Sequence, residues 1–148
     1  MEREGEDVFQ GLVDLLRSPR AETRNQAALA LADLGDDRAV EPLIAATREY
    51  IDSGNIGTLV YALLHLDCSQ HLMFLTEIVL HRTYEIRLKA LMILERRNFA
   101  VMGEELATAR AAFERYACDR RDDEEALWLV SKLNAVLDRL AGDPVDAD

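Results

Sequence analysis

The clearest structural signal in this 148-residue chain lies in residues 22–43, which read ETRNQAALALADLGDDRAVEPL. The 0, 3, 4, 7 spacing typical of a buried helix face is occupied here by Ala27, Ala30, Leu31 and Leu34. Gly35 then predicts a left-handed C-cap, and Asp36 predicts the N-cap of a following helix. The segment therefore predicts a helix, a tight turn and the start of a second helix.

The same spacing recurs three more times along the chain, although Arg97 replaces the last apolar residue of the third set. It starts again at Leu59, Ala90 and Ala126, at successive offsets of 32, 31 and 36 residues. Self-similarity at such a period is a signature of repeat folds. Apolar periodicity predicts eight helices, near residues 8–17, 20–34, 38–51, 55–66, 70–82, 85–97, 103–118 and 123–141. Asp122 and Glu125 have capping-box spacing at the start of the last one.

The Glu22-x-Arg24 motif, with the Ala-Leu and Leu-Gly-Asp pairs that follow it, resembles the short HEAT-like repeat of phycobilisome-lyase-type proteins, and residues 85–94 echo it. The resemblance is to small bacterial HEAT-repeat proteins. It implies an all-α fold, a right-handed α-solenoid of about four HEAT-like helix pairs. We expect a single domain over residues 1–148. Its predicted parts are repeat units at 8–35, 36–67, 68–98 and 99–142, with an acidic tail at 143–148.

Composition and charge exclude several classes of protein. Hydrophobic residues make up 49% and charged residues 30% of the chain, which is typical of a globular protein. The net charge of −11 argues against nucleic acid and anionic membranes as partners. The N-terminus is acidic and has no apolar signal-peptide core, and there are only two cysteines. We therefore expect a cytoplasmic protein.

The sequence offers little support for catalysis or metal binding. His65, Cys68 and His71 form His-x-x-Cys-x-x-His, which has the spacing of metal ligands, but no fourth ligand follows nearby. HEAT-like iron hydroxylases carry His-Glu steps, whereas His81 is followed by arginine here. No nucleophile elbow or phosphate-binding glycine loop is present. We expect no metal, no cofactor and no enzymatic activity.

A row of large side chains is predicted on the second helix of each pair. Two residues after each repeat start come Leu29, Tyr61, Met92 and Trp128. In HEAT-like solenoids the second helices line the concave face, so these residues and their neighbours are candidates for partner binding. The bordering residues are His65, Lys89, Arg96 and Lys132. The alternative is that the large side chains pack against the neighbouring second helix and belong to the core.

These observations favour a non-catalytic module that binds a partner protein through its concave face. An inhibitor or immunity-type role, neutralising a bacterial toxin, fits a small acidic chain. Its acidic ends would speed encounter with a basic target. The acidic segment at residues 119–125 is the second candidate surface. Two alternatives stay open: a structural adaptor in a larger complex, and a bilin-lyase-like enzyme subunit.

Overall fold

The computed structural model describes residues 2–101 and 103–142. Within these ranges all regular secondary structure is helical and no β-strand occurs, which confirms the all-α prediction. The α-helices of the described ranges are α1 (Glu2–Leu15), α2 (Ala21–Leu34), α3 (Val40–Glu49), α4 (Gly57–Leu63), α5 (Leu72–His81), α6 (Tyr84–Arg96), α7 (Gly103–Cys118) and α8 (Glu124–Leu140). Single 3-10 turns at Asp37–Ala39 and Ile51–Ser53 flank α3. None of the described helices is long and apolar enough to cross a bilayer.

The chain divides into two compact units, Met1–Cys68 and Ser69–Asp148. In the first unit α1 packs on α2, α3 packs on α4, and the second helices α2 and α4 pack on each other. In the second unit α5 packs on α6 and α7 on α8, while α5 contacts α7 and α6 contacts α8. Each unit is thus a stack of two helix pairs, the arrangement expected of solenoid repeats. The right-handed twist stays a prediction, and the acidic tail at 143–148 lies outside the described residues.

The apolar register read from the sequence forms the core. Each of the positions expected to be buried is at most 2% exposed, namely Ala27, Leu31, Leu63, Ala90, Leu94, Leu129 and Leu133. Two other members of the α2 register are not buried: Ala30 is half-buried, and Leu34, the last residue of α2, is exposed. Small residues at the start of the register, such as Ala27 and Ala90, let neighbouring helices approach closely.

The predicted turn after α2 is confirmed in detail. Gly35 has a φ of 65°, and its N–H donates to the carbonyls of Leu31 and Ala32. The Asp36 side chain then accepts from the N–H of Arg38 and caps the following 3-10 turn.

The predicted cap of α8 is wrong by one residue. Asp123, and not Asp122, is the N-cap, because its carboxylate accepts from the N–H groups of Glu125 and Ala126.

The arginine of the Glu-x-Arg motif ties each motif-bearing second helix to the turn or helix that precedes it. In the first unit the buried Arg24 donates from Nη1 to the carbonyl of Ser18, at 2.8 Å, and its guanidinium lies 3.6 Å from the centre of the Tyr50 ring. In the second unit Arg87 donates from Nε to the carbonyl of Val79 in α5, at 2.7 Å. This part of the motif therefore stabilises the helix pair.

Candidate functional site

In the first unit the structure exposes the predicted binding residues of both second helices. The side chains of Leu29 on α2 and Tyr61 on α4 are 43% and 39% exposed, at the same register position of two helices that pack together. The Tyr61 ring meets the exposed His65 ring edge to face, with 5.3 Å between ring centres and 74° between planes. This arrangement presents an aromatic surface with a polar border.

In the second unit the exposed residue is Trp128 on α8, at 46% exposure. The ammonium of Lys132, one turn further along α8, lies 5.9 Å from the centre of the indole ring, near the outer limit of a cation–π contact. On α6, which packs on α8, Met92 and Lys89 are half-buried and Arg96 is exposed. An apolar surface bordered by cations suits a ligand with an apolar group beside carboxylates.

The exposed fractions show whether the large side chains at this repeat position belong to the surface or to the core. Core packing does not hold for Leu29, Tyr61 or Trp128, because each of these side chains is substantially exposed. Met92 is intermediate and contributes less surface. The continuity of the row across both units stays a prediction.

The His-x-x-Cys-x-x-His segment has a structural explanation for its cysteine. Cys68 is buried, and its thiol lies 3.4 Å from the carbonyl of Leu63, to which it donates. His65 is exposed just after α4, whereas His71 is the N-cap residue of α5 and belongs to the other unit. Among the described residues, no group of three or more histidine, cysteine or acidic side chains is placed to hold a metal ion.

Several residues of the acidic segment at 119–125 make contacts that stabilise the second unit. Asp123 caps α8, and the Glu125 carboxylate lies 3.3 Å from Nη1 of Arg87. The guanidinium of Arg120 stacks 3.9 Å from the centre of the Tyr116 ring. Folding roles thus account for much of this segment, and the second-helix residues are the better candidate surface.

The sequence did not reveal two concave features. In the first unit a groove of about 500 Å³ lies between α1 and α3. In the second unit a smaller cavity of about 200 Å³ is bordered by the ends of α5 and α7, including His81 and Arg115. Sequence periodicity identifies which side of a helix is apolar, but the width of a gap between two helices depends on how the pairs stack.

Comparison with known families supports the repeat assignment. Residues 23–49, which run from α2 through the Gly35 turn into α3, match the family described as PBS lyase HEAT-like repeat. The predicted resemblance is therefore confirmed, and the chain is similar to HEAT-like repeat proteins over this segment. No match was found among the curated proteins or the solved structures.

Proposed function

We propose that this chain is a non-catalytic HEAT-like repeat scaffold that binds a partner protein through the exposed positions of its second helices. The observation that carries the proposal is the exposure of Tyr61 and Trp128 at one register position, next to positions that are fully buried. Tyrosine and tryptophan are the residue types that most often dominate binding energy at interfaces.

The chemistry of the surface defines the partner that it would fit. Lys132 lies beside Trp128 on α8, and α6, which packs on α8, carries Lys89 and Arg96, so the partner would offer carboxylates around an apolar or aromatic group. Leu29 and Tyr61 would contribute a second apolar contact in the first unit. An isolated apolar contact would be weak, and two of them on one chain would add avidity.

The finer proposal is an inhibitor or immunity-type role against a bacterial toxin, in the cytoplasm. The net charge of −11 supports it, because long-range attraction to a basic target accelerates encounter. Both cysteines are free thiols, a state that suits a reducing compartment.

Site-specific photo-crosslinking tests the binding surface. A benzophenone amino acid is introduced at Tyr61, at Trp128 or, as a matched control, at Tyr84, which is 57% exposed but lies at the start of α6 outside the surface. In cells of the source organism the first two positions should capture the same protein, and Tyr84 should not. Equal capture at all three positions would show that contact is not specific to the second-helix surface.

Affinity measurements with the captured protein then test the residue roles. Trp128→Ala and Tyr61→Ala should each cost about 2 kcal/mol, or roughly 30-fold in Kd. Tyr84→Ala should leave Kd unchanged. Lys89→Glu should mainly slow association and alter its salt dependence. If both alanine variants bind at parental affinity, the surface is wrong and the 119–125 segment is the next to test.

Growth assays separate the immunity role from binding alone. Expression of the captured protein should arrest growth, and co-expression of the parental chain should restore it. The Trp128→Ala variant should restore growth less well at equal protein level. A captured protein that is harmless when expressed alone would refute the immunity role while leaving the binding proposal standing.

A further inference from the structure

The groove between α1 and α3 is a local departure from the packing seen in the second unit. There the first helices of the two pairs, α5 and α7, contact each other, whereas α1 and α3 leave a gap of about 500 Å³. The α3 wall includes the short side chains of Pro42, Ala45 and Ala46, and the opposite wall includes Val13 of α1 and Leu16, which follows its last residue. Short side chains on one wall leave the space between the two helices unfilled. We call this feature the α1–α3 groove.

The rim of the α1–α3 groove carries excess negative charge. Asp14, Glu41 and Glu49 line it, against the single cation Arg17 among the lining residues. Asp14 accepts from the side-chain amide of Gln10 at 2.9 Å, and a carboxylate has capacity for further donors. The surrounding unit, residues 1–68, has 13 acidic and 6 basic side chains. The field at the groove therefore attracts cations.

The backbone of the groove walls limits how a partner can bind. Both walls are α-helices, whose N–H and C=O groups are paired within the helix away from its ends. A partner strand could therefore not add to them through main-chain hydrogen bonds, and recognition has to use side chains. The wall formed by α3 has 10 residues, or roughly 15 Å. About three turns of a partner helix would match that length.

We propose that the α1–α3 groove binds a basic amphipathic helix of a partner protein. Its apolar side chains would lie between Val13 and Ala45, and its lysine or arginine side chains would pair with Asp14 and Glu49. The proposal is independent of the second-helix surface, because it uses only first helices. It gives the chain a second docking site with the opposite charge preference.

Fluorescence anisotropy with a synthetic probe tests the proposal on the full chain. The probe is a labelled helical peptide of roughly three turns, made of leucine, alanine and lysine, with leucines at helical spacing. A matched peptide has glutamate in place of lysine. The lysine probe should bind with micromolar Kd, and the glutamate peptide at least about tenfold more weakly. Absence of lysine-probe binding up to about 1 mM, or equal binding of both peptides, would overturn the proposal.

Paired variants show whether the probe occupies the groove. Ala45→Trp fills the groove and should weaken probe binding by at least about tenfold, whereas Ala111→Trp on the exposed side of α7 should not. Glu49→Lys should weaken binding more than Glu114→Lys, which makes the same charge change at an exposed site of α7. Circular dichroism melts verify that each variant is folded. Equal effects within each pair would show nonspecific attraction and refute the groove as the site.

Discussion

The same substitution, glycine to alanine, should have opposite effects at two positions of the first unit. Gly35 has a φ of 65°, a conformation that costs an L-residue about 1–2 kcal/mol. A Cβ built on Gly35 meets no atom within 4 Å, so no steric clash adds to this backbone cost. Gly11 lies inside α1, and a Cβ there also meets no atom within 4 Å. Alanine should be about 0.5–1 kcal/mol more favourable there, because glycine loses more conformational entropy in a helix.

We therefore expect Gly35→Ala to lower the free energy of unfolding by about 1 kcal/mol and Gly35→Val by about 2 kcal/mol. Gly11→Ala should raise it by about 0.5–1 kcal/mol. In a chain of this size each kcal/mol corresponds to roughly 3 °C in Tm. Urea unfolding followed by circular dichroism at 222 nm measures these differences, because that signal reports helix content.

D-alanine at position 35 isolates the backbone effect. Introduced by peptide ligation, it adopts positive φ without strain and should stabilise the chain by about 0.4–1 kcal/mol, through reduced entropy of the unfolded state. If L-alanine at Gly35 and at Gly11 changed stability in the same direction, the left-handed cap would not control the end of α2. If D-alanine destabilised as much as L-alanine, contacts rather than φ would set the cost.

Three further predictions concern other parts of the chain. Arg87→Ala should lower the free energy of unfolding by about 3 kcal/mol, because it removes the charged donor to the Val79 carbonyl. Arg87→Lys should lower it by about half as much. A loss below about 1 kcal/mol for Arg87→Ala in urea unfolding would contradict this prediction. Hydrogen bonds from the Arg38 guanidinium lower the pKa of Asp36 below its ordinary 3.8. The ionised Asp36 therefore adds to the free energy of unfolding above about pH 4, and this gain is lost as the pH falls through the lowered folded-state pKa. Arg38→Ala should raise that pKa toward 3.8 in a carbon-13 NMR titration, and an unchanged titration would refute the assignment. Protein purified without an affinity tag should contain no stoichiometric zinc; zinc that disappears in Cys68→Ala would prove this wrong.

Periodicity predicted the core because burial on a helix repeats with the helical turn. Periodicity predicts that the first helix starts near residue 8, whereas α1 begins at Glu2, because residues 2–7 contain no apolar side chain to reveal the pattern. Acidic side chains in a first turn favour helix through the macrodipole. The register places Tyr61 and Trp128 at equivalent positions but leaves their burial open, and the structure shows both side chains exposed. The α1–α3 groove depends on long-range stacking, which local spacing does not encode.

The Glu-x-Arg motif occurs at Glu22 and again at Glu85 but is missing from the second and fourth repeats, and the structure gives a physical reason for its absence there. Arg24 and Arg87 lie in the first helix pair of their respective units, and each bonds a carbonyl of the preceding helix or turn. At the corresponding place the second pair of each unit has Ile56, which is buried, or Asp123, which caps α8. An arginine at either place would remove an apolar core residue or the side-chain cap. The sequence therefore repeats most strongly over two helix pairs, which is also the size of each compact unit. Where the second pair of a unit lacks the arginine, the residue in its place has another structural role, and the helix pair still forms.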